Sequence, residues 1–175
     1  MLQTLLVVDC GLVMSFVREI SYTFAWFLFC MRLPIQVQAI LFKKISGRLH
    51  YLLLKRTLEK GGFWQPVTGG LEEGETKVEA LEREVLEETG IKNIARIIEN
   101  VHYFEYSDSH FIKGYHFIKE YVFGVEVHPN ERIVLDGKEH SQFKWCSFQE
   151  ALELLKWNEN KEALSRLNEI LSVQK

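Results

Sequence analysis

From residue 35 onward the chain alternates between two hydrophobic periods. Ile35–Lys43 alternates apolar and polar residues, Ser46-Gly47 offers a turn, and Tyr51–Leu54 is a short apolar run. This pattern predicts a β-hairpin. Phe63–Thr68 predicts a short extended segment leading into a turn at Gly69-Gly70. The period then changes. Val78, Leu81 and Val85 recur at helical spacing, so one helix face can be buried while the acidic face stays open. Thr76 is placed to cap this helix, and Glu79 three residues on completes a capping box. Gly90 stands where a left-handed residue would end it. Ile94–Tyr106 and Phe117–Val127 read as strands, and Phe143–Cys146 as a short last strand. Ser147 and Glu150 form a second capping box for a helix near Phe148–Lys156. A final helix near Asn160–Ser172 carries Leu164, Leu167 and Leu171 on one face. Strands with flanking helices imply a layered α/β sandwich.

Residues 1–33 follow neither pattern. They are mostly apolar, yet the longest uncharged run, Ile20–Met31, has 12 residues. A membrane-spanning helix needs about 20. Asp9, Arg18 and Glu19 interrupt every longer window. There is no basic leader region and no small-residue cleavage site, so a signal peptide fits poorly. All three methionines, Met1, Met14 and Met31, fall here, and Met31 directly precedes the first strand pattern. Two readings follow. Met31 is the natural start and the upstream stretch is a gene-start artefact or an accessory tail, or residues 1–33 form an interfacial or packed extension. Either way the expected division is an extension over 1–33 and one domain over 34–175.

Composition narrows the class only a little. Hydrophobic residues at 47% and charged residues at 26% are ordinary for a globular domain. A net charge of −3 gives no overall field for nucleic acid. Cys10, Cys30 and Cys146 are too few and too scattered for a disulfide framework or a zinc site. A reducing cytoplasm is therefore expected, without membrane association. The composition leaves the oligomeric state open.

Charge distribution is more informative. Residues 69–91 hold eight acids and two bases, a net of −6, which leaves +3 for the rest of the chain. Glu84, Glu87 and Glu88 lie at i, i+3 and i+4, so three carboxylates share one side of the helix. Such a cluster is stabilised by a divalent cation. Hard oxygen ligands suit Mg²⁺ or Mn²⁺, which also bind substrate phosphates. Arg83 can pair with Glu79 in the favourable i, i+4 order and can also reach Glu87.

The segment GGLEEGETKVEALEREVLEETGI resembles the Nudix box, G-x5-E-x7-R-E-U-x-E-E-x-G-U with U aliphatic. Gly69, Glu75, Arg83, Glu84, Val85, Glu87, Glu88, Gly90 and Ile91 occupy its fixed positions. The resemblance implies a Nudix-type α/β/α sandwich with a mixed β-sheet. It also implies hydrolysis of a nucleoside diphosphate linked to another moiety, with Mg²⁺ or Mn²⁺ as cofactor. Glu84, Glu87 and Glu88 are then the metal ligands, with the Gly69 carbonyl as a further one. The general base is a box glutamate, Glu84 first, or a carboxylate from a later loop. Glu139 in GKEHSQFKW is the candidate outside the box, against its reading as a plain exposed loop carboxylate. FWQPVTGGLEEGET with EHSQFKW is similar to the dihydroneopterin triphosphate diphosphatases, also described as dATP pyrophosphohydrolases. The similarity fades through 94–127, where substrate loops would lie. The expected substrate is a nucleoside or pterin triphosphate, cut to a monophosphate and pyrophosphate. A dinucleoside polyphosphate is the alternative within the same chemistry. A non-catalytic ligand-binding or regulatory domain is the alternative outside it, but no catalytic position of the box is missing.

Other candidates rest on residue type and place. Lys55 and Arg56 end a strand shortly before the box, where cations could meet phosphates or simply mark a strand end. Trp64, with Phe63 beside it, could stack on a base or pterin ring or pack in the core. Tyr106 and Tyr115 could line a ring pocket. The six histidines show no metal spacing. Every motif lies beyond Met31, so a protein beginning at Met31 is expected to stay monodisperse and fully active. Size-exclusion chromatography and turnover against the full chain check this; an insoluble or inactive product would mean that the first 30 residues complete the fold or the site.

Overall fold

The computed structural model describes residues 33–107 and 117–173. Residues 1–32 of the apolar N-terminal segment, and Tyr115, lie outside them. The described chain forms one seven-stranded sheet with helices on both faces. β1 (Ile35–Ile45) is its centre. It pairs antiparallel with β2 (Arg48–Arg56) and with β4 (Val67–Gly70), and parallel with β6 (Ile118–Val127). β2 also carries the two-residue β3 (Trp64–Gln65) and β7 (His140–Cys146), while β5 (Ile94–Tyr106) closes the other side on β6. The mixed sheet and flanking helices are the α/β/α sandwich the sequence implies.

The first hairpin is longer than the hydrophobic run suggests. Ile45 pairs with Arg48 across Ser46 and Gly47, both at positive φ (48° and 77°). This is the geometry a two-residue hairpin loop needs to match strand twist. The ladder therefore continues through polar residues that reach into solvent. Gly69 and Gly70 are not a turn, contrary to expectation. They lie in β4, opposite Val37 and Gln36. The chain turns a little later, at Gly74 (φ 87°).

Period-two alternation sorts the core into two layers. Val37, Ala39 and Leu41 of β1 join Leu52, Leu54, Val67 and Val125 in a cluster beneath α1 (Lys77–Thr89), which contributes Ala80, Leu81 and Val85. Ile40 and Phe42 point the other way, with Tyr51, Leu53 and Val122. That layer is covered by α2 (Phe148–Leu154) and α3 (Asn158–Val173), through Ala151, Leu164, Leu167 and Leu171. β1 is thus buried on both faces, as a central strand with parallel pairing requires.

Both capping boxes form. Thr76 Oγ1 accepts from the Glu79 N–H, and Glu79 accepts in return from the Thr76 N–H. Ser147 and Glu150 repeat the arrangement. α2 stops at Leu154, short of the expected Lys156, because Leu155 turns extended and bridges to Trp64. Among the described residues no helix is long and apolar enough to cross a membrane.

α3 is held closely to the sheet. Leu167 is fully buried, and a Cβ added to Gly124 of β6 would stand 2.5 Å from its Cδ1. Leu167→Ala is therefore expected to lower stability by about 3 kcal/mol, measured as a fall in the urea midpoint with an unchanged slope.

Candidate metal centre

The acidic helix face is not the open surface its spacing suggests. Glu84 is 8% exposed and Glu88 5%, whereas the Glu87 side chain is 60% exposed. Residues one turn apart stack along one face, and that face leans on β4. Glu87 sits about 100° round the helix from Glu88, which swings it to solvent. Gly69 fits Glu84 to the strand, and the Thr68 backbone meets Glu88. A Cβ at Gly69 would fall 1.8 Å from Glu84 Cδ, so only glycine leaves room for the carboxylate.

Arg83 fixes the centre's geometry. Its Nε and NH2 donate to the two Glu75 oxygens at 2.7 and 3.0 Å. NH2 also donates to the Gly70 carbonyl at 2.9 Å, and NH1 donates to Glu84 Oε1 at 2.6 Å, with Glu87 Oε2 at 3.5 Å. The expected Glu79–Arg83 pair does not form. Glu79 folds back onto Thr76 as the capping partner, which leaves the guanidinium to Glu75. One arginine thus ties the loop before α1, the end of β4 and the acidic face together.

Glu88 is a strongly perturbed carboxyl. Burial first, then the charge of Glu84, pushes its pKa up to about 9. Thr68 gives it a backbone hydrogen bond, but Oε2 has no partner. His140 Nε2 is 3.9 Å away, too far for a hydrogen bond. Burial, followed by the charge of Arg56, lowers the His140 pKa to about 4, so the two groups face each other as neutral species. Among the described residues no set of three side chains already converges as a metal cage, because Glu84 is turned to Arg83 and Glu87 to solvent. The donors nevertheless fit a hard divalent cation. The charge of Glu84 raises the proton affinity of Glu88, one buried Glu88 oxygen is unpaired, and the Gly69 backbone lies against Glu84.

Glu139 joins the same side of the molecule. Its Oε2 accepts from Arg56 NH1 at 2.7 Å, and its Oε1 from Lys60. Burial opposes ionisation, but the Lys60 hydrogen bond and the charges of Arg56 and Lys60 outweigh it and hold this carboxyl below its ordinary range. Arg56 and Glu139 both act on the charge of Glu88, so this cluster borders the centre. Lys60 escaped the sequence reading because it sits in a three-residue turn, Leu58–Lys60, too short to show a period.

Lys55 and Trp64 are not brought to the box. They pair across β2 and β3, and Trp64 packs with the α2/α3 layer, on the sheet face opposite α1. Side chains alternate along a strand, so Arg56 faces the centre and Lys55 does not. Lys55 Nζ instead stands 5.9 Å from the Trp64 ring centroid. Trp64 is partly buried against that layer, and Phe63 meets Trp157 edge-on.

Residues 34–167 match the NUDIX domain family model. The chain is 32% identical over 136 residues to an octanoyltransferase of Myxococcus xanthus, covering 76% of this chain but only 37% of that protein. It is 28% identical over 141 residues to the dihydroneopterin triphosphate diphosphatase of Escherichia coli K12, covering 76% of this chain and 91% of that one. A solved Listeria monocytogenes structure described as a NUDIX hydrolase superposes with a TM-score of 0.73 at 30% identity, over 81% of this chain and 97% of that one.

Two outcomes test the centre. Gly69→Ala displaces Glu84 and is expected to abolish Mg²⁺ binding, read by isothermal titration. For Glu88, the pKa is raised from its ordinary 4.5 to about 9 on folding. The folded state then holds the proton more tightly than the unfolded one, so stability falls as pH rises between those values. Metal-free Glu88→Gln is expected to melt higher than the parent at pH 8, and Mg²⁺ to raise the melting temperature of the parent alone. Equal melting and an equal Mg²⁺ response in both would reject the assignment.

Proposed function

Because the chain belongs to the NUDIX family, we propose that it is a divalent-metal-dependent hydrolase of pyrophosphate bonds in nucleotide-like substrates. The observation that carries this reading is the pair of buried carboxylates on β4, Glu84 against Gly69 and Glu88 against the Thr68 backbone, with an intact box around them. Glu84, Glu88 and, after a side-chain rotation, Glu87 would hold Mg²⁺ or Mn²⁺. The bound ion supplies charge neutralisation at the phosphates and a water of lowered pKa. Arg83 acts as a positioning residue, since it spends its donors on Glu75, Gly70 and Glu84.

Glu139 fits the base role poorly. A carboxylate that already accepts from two cations and titrates below its ordinary range is a weak proton acceptor. It fits better as the anchor that presents Arg56 and Lys60 to the phosphates. The proton of the attacking water then goes to a box carboxylate, Glu84 before the others. The favoured substrate is a nucleoside or pterin triphosphate, cut to a monophosphate and pyrophosphate. The similarity to the diphosphatase over 91% of its length supports it.

A panel of (d)NTPs, dihydroneopterin triphosphate, dinucleoside polyphosphates and nucleotide sugars, assayed with Mg²⁺ and phosphate detection, tests this reading. Turnover of a triphosphate is expected to exceed the rest. Glu87→Gln should lose roughly 100-fold in kcat, with stability changed by less than about 0.5 kcal/mol. Glu139→Gln should raise KM more than it lowers kcat. Parent-like turnover in Glu87→Gln would reject Glu87 as a metal ligand, and no turnover of any anhydride would reject the hydrolase reading.

A further inference from the structure

The sheet face opposite α1 carries polar groups that neither the metal centre nor the phosphates use. Gln38 of β1 shares this face with Ile40 and Phe42, and Glu120 of β6 shares it with Val122. Gln38 is fully buried, and neither its amide oxygen nor its nitrogen has a hydrogen-bond partner. Glu120 is 4% exposed. Its carboxyl meets no cation among the described residues, and burial lifts it to about 8. The neighbouring Gln36 behaves differently, because Tyr106 donates to its Oε1 at 2.7 Å. Native proteins pair their buried polar groups, so an orphaned amide beside a lone buried carboxyl points to a partner from outside the chain.

Strand register places this pair next to the metal centre. Gln38 is opposite Thr68, and Gln36 opposite Gly70, on β4. Gln36 is in turn in register with Glu120, and Glu120 with Phe104 of β5. Thr68 gives Glu88 its backbone hydrogen bond, and Gly69 lies against Glu84. One strand, β4, therefore separates the two groups of residues, a width of about 4.8 Å. Among the described residues β4 pairs with β1 alone, and its outer edge meets Glu88 and Arg83, so no further strand stands between the metal centre and the Gln38 face.

We propose that Gln38 and Glu120 recognise a heterocycle with a 2-amino-4-oxo edge, the edge shared by guanine and the pterin ring, whose phosphates reach the carboxylates across β4. The edge presents a carbonyl, a ring N–H and an amine in a row. Gln38 Nε2 donates to the carbonyl and Oε1 accepts from the ring N–H. The Glu120 carboxyl accepts from the amine, which it can do in either protonation state. Phe104, paired with Glu120 and half-buried, offers a face to the ring. An adenine edge has no such row, so pairing it leaves buried groups unsatisfied, the stronger source of discrimination.

The proposal rests on the hydrolase reading only for where the phosphates go. Its test therefore uses binding without metal. GMP, IMP and AMP are titrated calorimetrically into the metal-free full chain. GMP is expected to bind at least tenfold more tightly than IMP, which lacks the amine, and than AMP. Glu120→Met should bring GMP down to the IMP level, and Gln38→Met should remove the preference over AMP. Both replacements are apolar and close in size, and the comparison within the parent needs neither. Equal affinity for the three nucleotides in the parent would overturn the proposal, even if triphosphates are hydrolysed in Mg²⁺. Selective GMP binding without hydrolysis would support it and sink the hydrolase reading instead.

Discussion

Two carboxylates one helical turn apart, pressed against a strand that has no side chain to oppose them, are the constraint around which this domain is arranged. Burying a carboxylate is costly unless a charge or hydrogen bonds answer it. Glu84 is answered by Arg83. Glu88 has a single backbone hydrogen bond and an unpaired oxygen, and its raised proton affinity records the deficit. Such an arrangement weakens the metal-free fold and prepares the site for a cation. The capping box, the left-handed Gly90 and the apolar face of α1 supply the stability that lets the helix hold it.

The same strand organises both sides of the sheet. β4 receives Glu84 at Gly69, donates to Glu88 from Thr68, and offers the Gly70 carbonyl to Arg83. Its pairing with β1 also sets Gln38 and Gln36 opposite Thr68 and Gly70. A ligand with an anionic end and a polar ring would therefore meet carboxylates on one face and the proposed ring-reading pair on the other. Short, glycine-bearing and paired on one side, β4 is thin enough to serve both.

What could be read in the sequence was local. A capping box is a hydrogen-bond pattern over four residues, so Thr76, Glu79, Ser147 and Glu150 predict it and the structure has it. The box glutamates could be placed on one helix, but burial is a tertiary fact, and nothing in EREVLEET says that Glu84 and Glu88 turn inward while Glu87 does not. Lys55 and Trp64 failed to reach the box for a similar reason. A strand residue points to one face or the other, and one position decides which. Arg56 has the right parity and Lys55 the wrong one. Lys60 had no periodic signal. Gln38 stands in a plain apolar/polar alternation with Gln36 in IQVQAILF, and Glu120 beside Lys119 in IKEYVFGV; only the burial of these strands on both faces makes such polar residues out of keeping.

Diffraction from crystals soaked in Mn²⁺, recorded at the manganese absorption edge, tests the central claim most directly. The account predicts an anomalous peak between α1 and β4, within coordination distance of Glu84 and Glu88, with Glu87 rotated in from solvent. A peak bound elsewhere, or none at saturating Mn²⁺ while Arg83 still holds Glu84, would contradict it.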